Sequence, residues 1–138
     1  MKNIDISQLY DVFQKRKDCY FICCDIKKMM SINEIAHKAG DLAIIEALRR
    51  MEEVAGEEDM IFRIGGDEFC LLTDSVSQER AECAAEKIRE QNDEAFCYEG
   101  QEIPLSMHVV TAKYEGERLN YGSLFTKLQS AIREGKQR

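Results

Sequence analysis

Two apolar, strand-like runs, Met60 to Ile64 and Phe69 to Thr73, are separated by only four residues, Gly65-Gly66-Asp67-Glu68. So short a connection specifies an antiparallel β-hairpin, because parallel strands need a crossover of a dozen or more residues. A third compact run, Cys19 to Ile26 (CYFICCDI), is apolar without alternation and ends beside an acid. That is the pattern of a strand buried on both faces. Further strands are predicted at Ala95 to Tyr98 and Ile103 to Tyr114, with a turn at Glu99-Gly100. Helices are predicted at Ser7 to Arg16 and at Met29 to Lys38, the latter stopping near Gly40. Asp41 starts another, carrying Leu42, Ile45 and Leu48 at helical spacing. Ser77 and Ser123 are positioned to cap two more, one over Gln78 to Gln91 and one ending near Gly135. The predicted order is α-β-α-α-β-β-α-β-β-α, an α+β chain in which helices cover a largely antiparallel sheet.

The 138 residues suit a single domain over 1–138, with 1–17 as a lead-in helix. A formal charge of −7 disfavours nucleic acid and anionic membranes as partners, since both call for a basic surface. Met1-Lys2-Asn3-Ile4-Asp5 carries no apolar leader, and no run approaches the ~18 apolar residues of a membrane span. The six cysteines (Cys19, Cys23, Cys24, Cys70, Cys83, Cys97) include no C-x-x-C pair, and His37 and His108 are too scattered to complete a zinc site. Most of the thiols sit in apolar stretches, which reads as a cytoplasmic chain with reduced core cysteines.

The hairpin turn holds the chemistry. Its two glycines let the backbone turn sharply and leave no side chain in the way of a ligand. Asp67 and Glu68 follow them directly, and Asp25 ends the first strand. If those strands are neighbours, Asp25 faces a hairpin acid across a short gap. Hard oxygen ligands so placed suit Mg²⁺, which completes its shell with water and phosphate oxygens and would let an acidic protein hold a nucleotide. Taken alone, the same turn reads as an ordinary hairpin.

The wider string Arg63-Ile64-Gly65-Gly66-Asp67-Glu68-Phe69 resembles the signature of the GGDEF family, the diguanylate cyclases. Asp25 resembles the first acid of that family's D-x-D-x-F-K-x-x-N-D segment, with Asn33 in register eight residues on, and His37-Lys38-Ala39-Gly40-Asp41 resembles its H-x-x-G-D. The resemblance covers about residues 19 to 138. It implies a palm-like, ferredoxin-like nucleotide-cyclase fold, with two such domains meeting face to face to join two GTP into cyclic di-GMP and two pyrophosphates. It also implies site roles. Asp25, Glu68 and the carbonyl of Ile26 would hold Mg²⁺ or Mn²⁺, with Asp67 beside the metal and the reacting phosphates. Gly65 and Gly66 would admit the α-phosphate, and Asn33 and Asp41 would read the guanine.

Departures from the pattern are specific. The second acid of D-x-D is Lys27, and Met29 and Met30 replace the phenylalanine and the phosphate-contacting lysine. A second such lysine corresponds to Ile132, with Lys136 nearby. The chain is one residue short between Asn33 and His37, a rotation of ~100° if absorbed within a helix. Upstream, Asp59 keeps the acid of the family's product-binding R-x-x-D, but Gly56 stands in place of the arginine. The expectation is a degenerate GGDEF domain that binds GTP, or another guanine nucleotide, with weak or no turnover. An active diguanylate cyclase, working as a homodimer, is the first alternative. A non-catalytic interaction module with a regulatory protein partner is the second.

Overall fold

The computed structural model describes residues 2–3, 19–57, 59–73, 77–114, 130 and 133. In chain order the elements are β1 (Lys2–Asn3), β2 (Cys19–Ile26), α1 (Met29–Ile35), α2 (His37–Val54), β3 (Met60–Arg63) and β4 (Glu68–Leu72). They are followed by α3 (Gln78–Glu90), β5 (Ala95–Tyr98), β6 (Gln101–Pro104) and β7 (Met107–Tyr114). The helix expected at Ser7 to Arg16 lies outside the described residues, as does the one begun by Ser123, apart from residues 130 and 133.

Five strands form one sheet in the order β1-β3-β4-β2-β7, antiparallel except for the short parallel β1–β3 pair. β5 and β6 make a separate hairpin, so the single strand expected from Ile103 to Tyr114 is two. Leu105 and Ser106 break it. The Leu105 amide and carbonyl turn to Glu94 and Asp93, at 3.0 and 3.2 Å, rather than continuing a ladder. Flanked on both sides, β2 is buried along nearly its whole length, which is why its sequence shows no alternation.

Register divides β2 and β4 into two faces. Thr73 donates to Tyr20 and Ile26 to Asp67, at 2.9 and 3.0 Å, so these positions form the hydrogen-bonded pairs. The intervening pairs Phe21–Leu72, Cys23–Cys70 and Asp25–Glu68 are therefore the non-hydrogen-bonded ones, whose side chains approach more closely. Ile22, Cys24, Ile26, Phe69 and Leu71 lie on the opposite face and share one core cluster with α2 and α3. The buried stripe of α2 starts with small residues, Ala39, Gly40, Ala43 and Ala47, and ends with two large ones, Arg50 and Met51. Ser77 caps α3 as expected, its hydroxyl accepting from the Arg80 amide at 3.2 Å.

The break between α1 and α2 falls at Ala36, not near Gly40. Ala36 is extended (φ −171°, ψ 152°), while Gly40 lies inside α2. Gly40 is a packing residue and not a stop: a Cβ there would sit 1.8 Å from Asn33 Oδ1. The missing methyl thus lets the Asn33 side chain lie across α2. Ala36 also falls inside the interval that is one residue short. A non-helical residue there separates the phases of the two helices, so no rotation is passed on.

Four cysteines are buried and two, Cys83 and Cys97, are exposed. Burial pushes the Cys24 and Cys70 thiols well above their ordinary range. Cys23 and Cys70 meet across the strands at 2.7 Å. Thiolate is the reactive form. A chromogenic disulfide reagent is therefore expected to titrate two thiols rapidly in the native protein, and the rest after denaturation. Four or more rapid thiols would contradict this core.

Candidate functional site

Three acids converge where β2 ends and the hairpin begins. Asp25 and Glu68 are partners in a non-hydrogen-bonded pair, and Asp67 precedes Glu68 at the end of the turn. The Ile26 amide donates to the Asp67 carbonyl at 3.0 Å, fastening the turn to the end of β2. One carboxylate oxygen from each of Asp25, Asp67 and Glu68 lies within 4.8 Å of the others. Asp25 is only 3% exposed. Glu68 Oε2 is buried and has no hydrogen-bond partner among the described residues. Two unit charges at such a separation repel by about 3 kcal/mol at an effective dielectric constant of ~20. A partly buried oxygen-only cluster with an unspent carboxylate oxygen fits a hard divalent cation, which would turn that repulsion into attraction.

The turn itself departs from expectation. Neither Gly65 nor Gly66 takes a left-handed φ; Gly100, in the β5–β6 turn, is the described glycine that does (φ 80°). Instead the Ile64 and Gly65 amides both donate to the Glu68 carbonyl, at 2.9 and 3.4 Å. Arg63 braces the outside of the turn, its Nε donating to the Gly65 carbonyl at 2.9 Å and its Nη2 to the Gly66 carbonyl. Its guanidinium also lies 5.8 Å from the centre of the Phe69 ring. The role of Gly66 is open space, since a Cβ there would meet nothing within 4 Å. Composition gave no sign of the Arg63 brace, although an arginine just before a turn with free carbonyls was a usable signal.

A cavity of about 370 Å³ opens from the turn toward the helices. Asn33, His37, Gly40 and Asp41 line it on one side, and Arg63, Gly66 and Asp67 on the other. Asp67 therefore belongs both to the acid cluster and to the cavity wall. The structure brings Asn33 and Asp41 together with the hairpin, although they sit on different helices. Met29, Met30 and Ile44 complete the lining, and Met30 is 79% exposed. Arg63 is the one permanent cation on the described lining, and its guanidinium is engaged by the turn. Ile132 and Lys136 lie outside the described residues, as does any cation they would add.

Asp59 has a structural partner. It is 1% exposed and accepts from the Gly56 amide and from Arg80 Nη2, each at 2.7 Å. A Cβ at Gly56 would lie 2.9 Å from Arg80 Nη2, so glycine there makes room for that ion pair.

Comparison with known proteins identifies the family and the fold. The chain matches the family described as "Diguanylate cyclase, GGDEF domain" over residues 4–138. It is 25% identical over 126 residues to Diguanylate cyclase A of Treponema denticola, covering 90% of this chain and 34% of that protein. The chain thus spans about a third of the length of that curated relative. Among solved structures, it superposes on the diguanylate cyclase SiaD of Pseudomonas aeruginosa, crystallised with its activator SiaC, with a TM-score of 0.81. That match has 20% identity and covers 96% of this chain and 55% of the other. The GGDEF domain of DgcB from Caulobacter crescentus, in complex with c-di-GMP, matches with a TM-score of 0.77 and 15% identity, covering 96% and 82%. These two likenesses speak to the fold.

Proposed function

The chain belongs to the GGDEF diguanylate cyclase domain family, and from that premise we propose that it binds GTP with a divalent metal at the hairpin and turns it over slowly or not at all. The observation that carries this reading is Asp67, the point at which a metal-competent acid cluster and a cavity lined by Asn33 and Asp41 become one continuous site. Asp25, Glu68, Asp67 and the Ile26 carbonyl would hold the ion, Mg²⁺ or Mn²⁺. Once bound, it would neutralise the triphosphate and polarise the α-phosphorus.

This chain's own residues supply recognition. The carboxylate of Asp41 accepts from the donor edge of guanine, and the Asn33 amide can donate to its carbonyl. Adenine would leave both groups unsatisfied in the cavity, which is the basis of discrimination. Gly66 leaves the turn open for a phosphate. Turnover would require attack by the 3′-hydroxyl of a second nucleotide held by a second copy of the domain. It would also require positive charge placed to receive what develops on the phosphates. Met30 supplies none. Removing a comparable electrostatic donor typically costs about 3 kcal/mol in the barrier. The complete acid cluster favours the alternative, an active cyclase. Feedback through Asp59 is not expected, because Arg80 engages that acid.

The test is incubation with GTP and Mg²⁺ or Mn²⁺, following cyclic di-GMP and thermal stability together. Nucleotide-dependent stabilisation with little or no product is expected. At a ligand concentration 100 times Kd the stabilisation is about 2.7 kcal/mol. Rapid formation of cyclic di-GMP would establish the alternative, and no stabilisation would remove the nucleotide reading altogether.

Gly40→Ala offers a sharper check on guanine recognition. The added methyl collides with the end of a flexible side chain, Asn33, while alanine is about 1 kcal/mol better than glycine within a helix. The variant is therefore expected to fold with undiminished stability and to lose roughly tenfold or more in GTP affinity, as one base contact is displaced. Unchanged affinity would show that Asn33 does not read the base.

A further inference from the structure

A second, larger cavity of about 600 Å³ lies on the opposite face of α1 from the nucleotide cavity. Met29, Met30 and Asn33 point toward one cavity, and Lys28, Ser31, Ile32 and Ile35 toward the other, as helical periodicity requires. Its volume is within the range of small-molecule sites. Ile32, Ile35, Ile103 and Pro104 give it an apolar interior, and Lys27 and Lys28 stand at its edge. Neither lysine has a carboxylate within ion-pair distance among the described residues, although the chain as a whole carries a charge of −7.

The far wall is preorganised. Asn92 holds Met107 through both its amide groups, donating to the carbonyl at 3.1 Å and accepting from the amide at 2.9 Å. The Ser106 hydroxyl donates to Asp93 Oδ1 at 3.0 Å and accepts from the Asp93 amide at 2.9 Å. Asp93, the acid on the lining, is thereby occupied. The Lys27 amide is tied to the same wall through the Ser106 carbonyl at 2.9 Å. Backbone strain also concentrates here. Of the three described non-glycine residues with positive φ, Lys28 (58°) and Asp93 (74°) both line this cavity. For a long side chain such as lysine that conformation is disfavoured, and strain of this kind gathers at ligand sites.

We propose that this cavity is a second ligand site, taking a small organic anion with an apolar body: a ring or short chain bearing one carboxylate, sulfonate or phosphate. The isoleucines and Pro104 cover the body, and the paired lysines receive the anionic group. The site does not depend on nucleotide binding, since the acid cluster and the guanine-facing residues contribute nothing to it.

The experiment uses 8-anilinonaphthalene-1-sulfonate, an aromatic body with one sulfonate, titrated into the isotope-labelled 138-residue chain and followed by fluorescence and amide chemical shifts. Saturable binding is expected, with shifts concentrated at Lys27, Ser31, Ile103 and Ser106. The double variant Lys27→Glu, Lys28→Glu should bind it at least about tenfold more weakly. Both changes are at the cavity edge, so the fold should persist, and its amide spectrum checks this. The uncharged analogue N-phenyl-1-naphthylamine should bind wild type and variant alike. Excess GTP with Mg²⁺ should leave the sulfonate in place whether or not GTP itself binds. Equal sulfonate affinity in the variant, shifts centred on Asn33 and Asp41, displacement by GTP, or no saturation would each overturn the proposal.

Discussion

Replacing Arg50 with methionine is expected to destabilise the protein by about 3–5 kcal/mol, the usual cost of removing one member of a buried polar network. Arg50 is fully buried on α2. Its Nε reaches Glu46 at 3.0 Å, while Nη1 and Nη2 donate to the Leu105 and Glu94 carbonyls at 2.7 and 2.9 Å. Those two carbonyls flank the β5–β6 hairpin, so this one side chain ties α2 to the segment that hairpin interrupts. Methionine matches much of the volume and restores none of the three bonds. For a chain of this length the loss corresponds to a fall of roughly 10–15 °C in melting temperature. Arg50→Lys should recover little, since one ammonium cannot span two carbonyls and a carboxylate in the planar geometry of a guanidinium. A change under 1 kcal/mol in chemical denaturation would show that this brace is dispensable. The network carries a pH signature as well. Hydrogen bonding to Arg49, with help from Arg50, holds the Glu46 carboxyl below its usual value of 4.5. Its contribution is present above that value and is lost as the pH falls through the lowered one.

Glu68→Gln should move stability in opposite directions with and without ligand. Without metal, the substitution removes one charge from three acids whose oxygens lie within 4.8 Å. The metal-free protein is then expected to gain about 1–3 kcal/mol by relief of like-charge repulsion. With Mg²⁺ and GTP, the stabilisation of the parent protein should disappear, a loss of about 2.7 kcal/mol at 100 times Kd. The two curves therefore cross. Melting temperature measured with and without Mg²⁺·GTP, for parent and variant, gives all four corners. A variant less stable than the parent in the absence of metal would mean that Glu68 is a structural acid. A variant still stabilised by Mg²⁺·GTP would mean that the ion is held elsewhere.

Local chemistry made much of this legible. The four-residue turn between apolar runs committed Met60 to Thr73 to a hairpin, and continuous apolarity marked β2 as a central strand. Asp25, Asp67 and Glu68 could be singled out as acids at strand ends. The expected stop near Gly40 failed because glycine has two uses that look alike in sequence. It ends helices, and it also lets another side chain approach within 1.8 Å of where its Cβ would be. The unbroken strand from Ile103 failed for a related reason. Its interruption depends on Leu105, whose amide donates to the Glu94 carbonyl and whose carbonyl accepts from the Asp93 amide, both on the segment before β5.

By itself, then, the sequence determined the elements whose causes lie within a few residues: the hairpin, the buried strand, the Ser77 cap and the supply of acids. Tertiary structure decided which groups meet. The register of β2 on β4 put Asp25 opposite Glu68 in a close pair rather than one residue out of step, which would have sent them to opposite faces. The break at Ala36 let Asn33 and Asp41 line one cavity from separate helices. Arg50 and Arg63 acquired their bracing roles from carbonyls that the folded chain brings within reach. Pairing over long sequence distances is set by the packing of the whole sheet, and no local pattern encodes it.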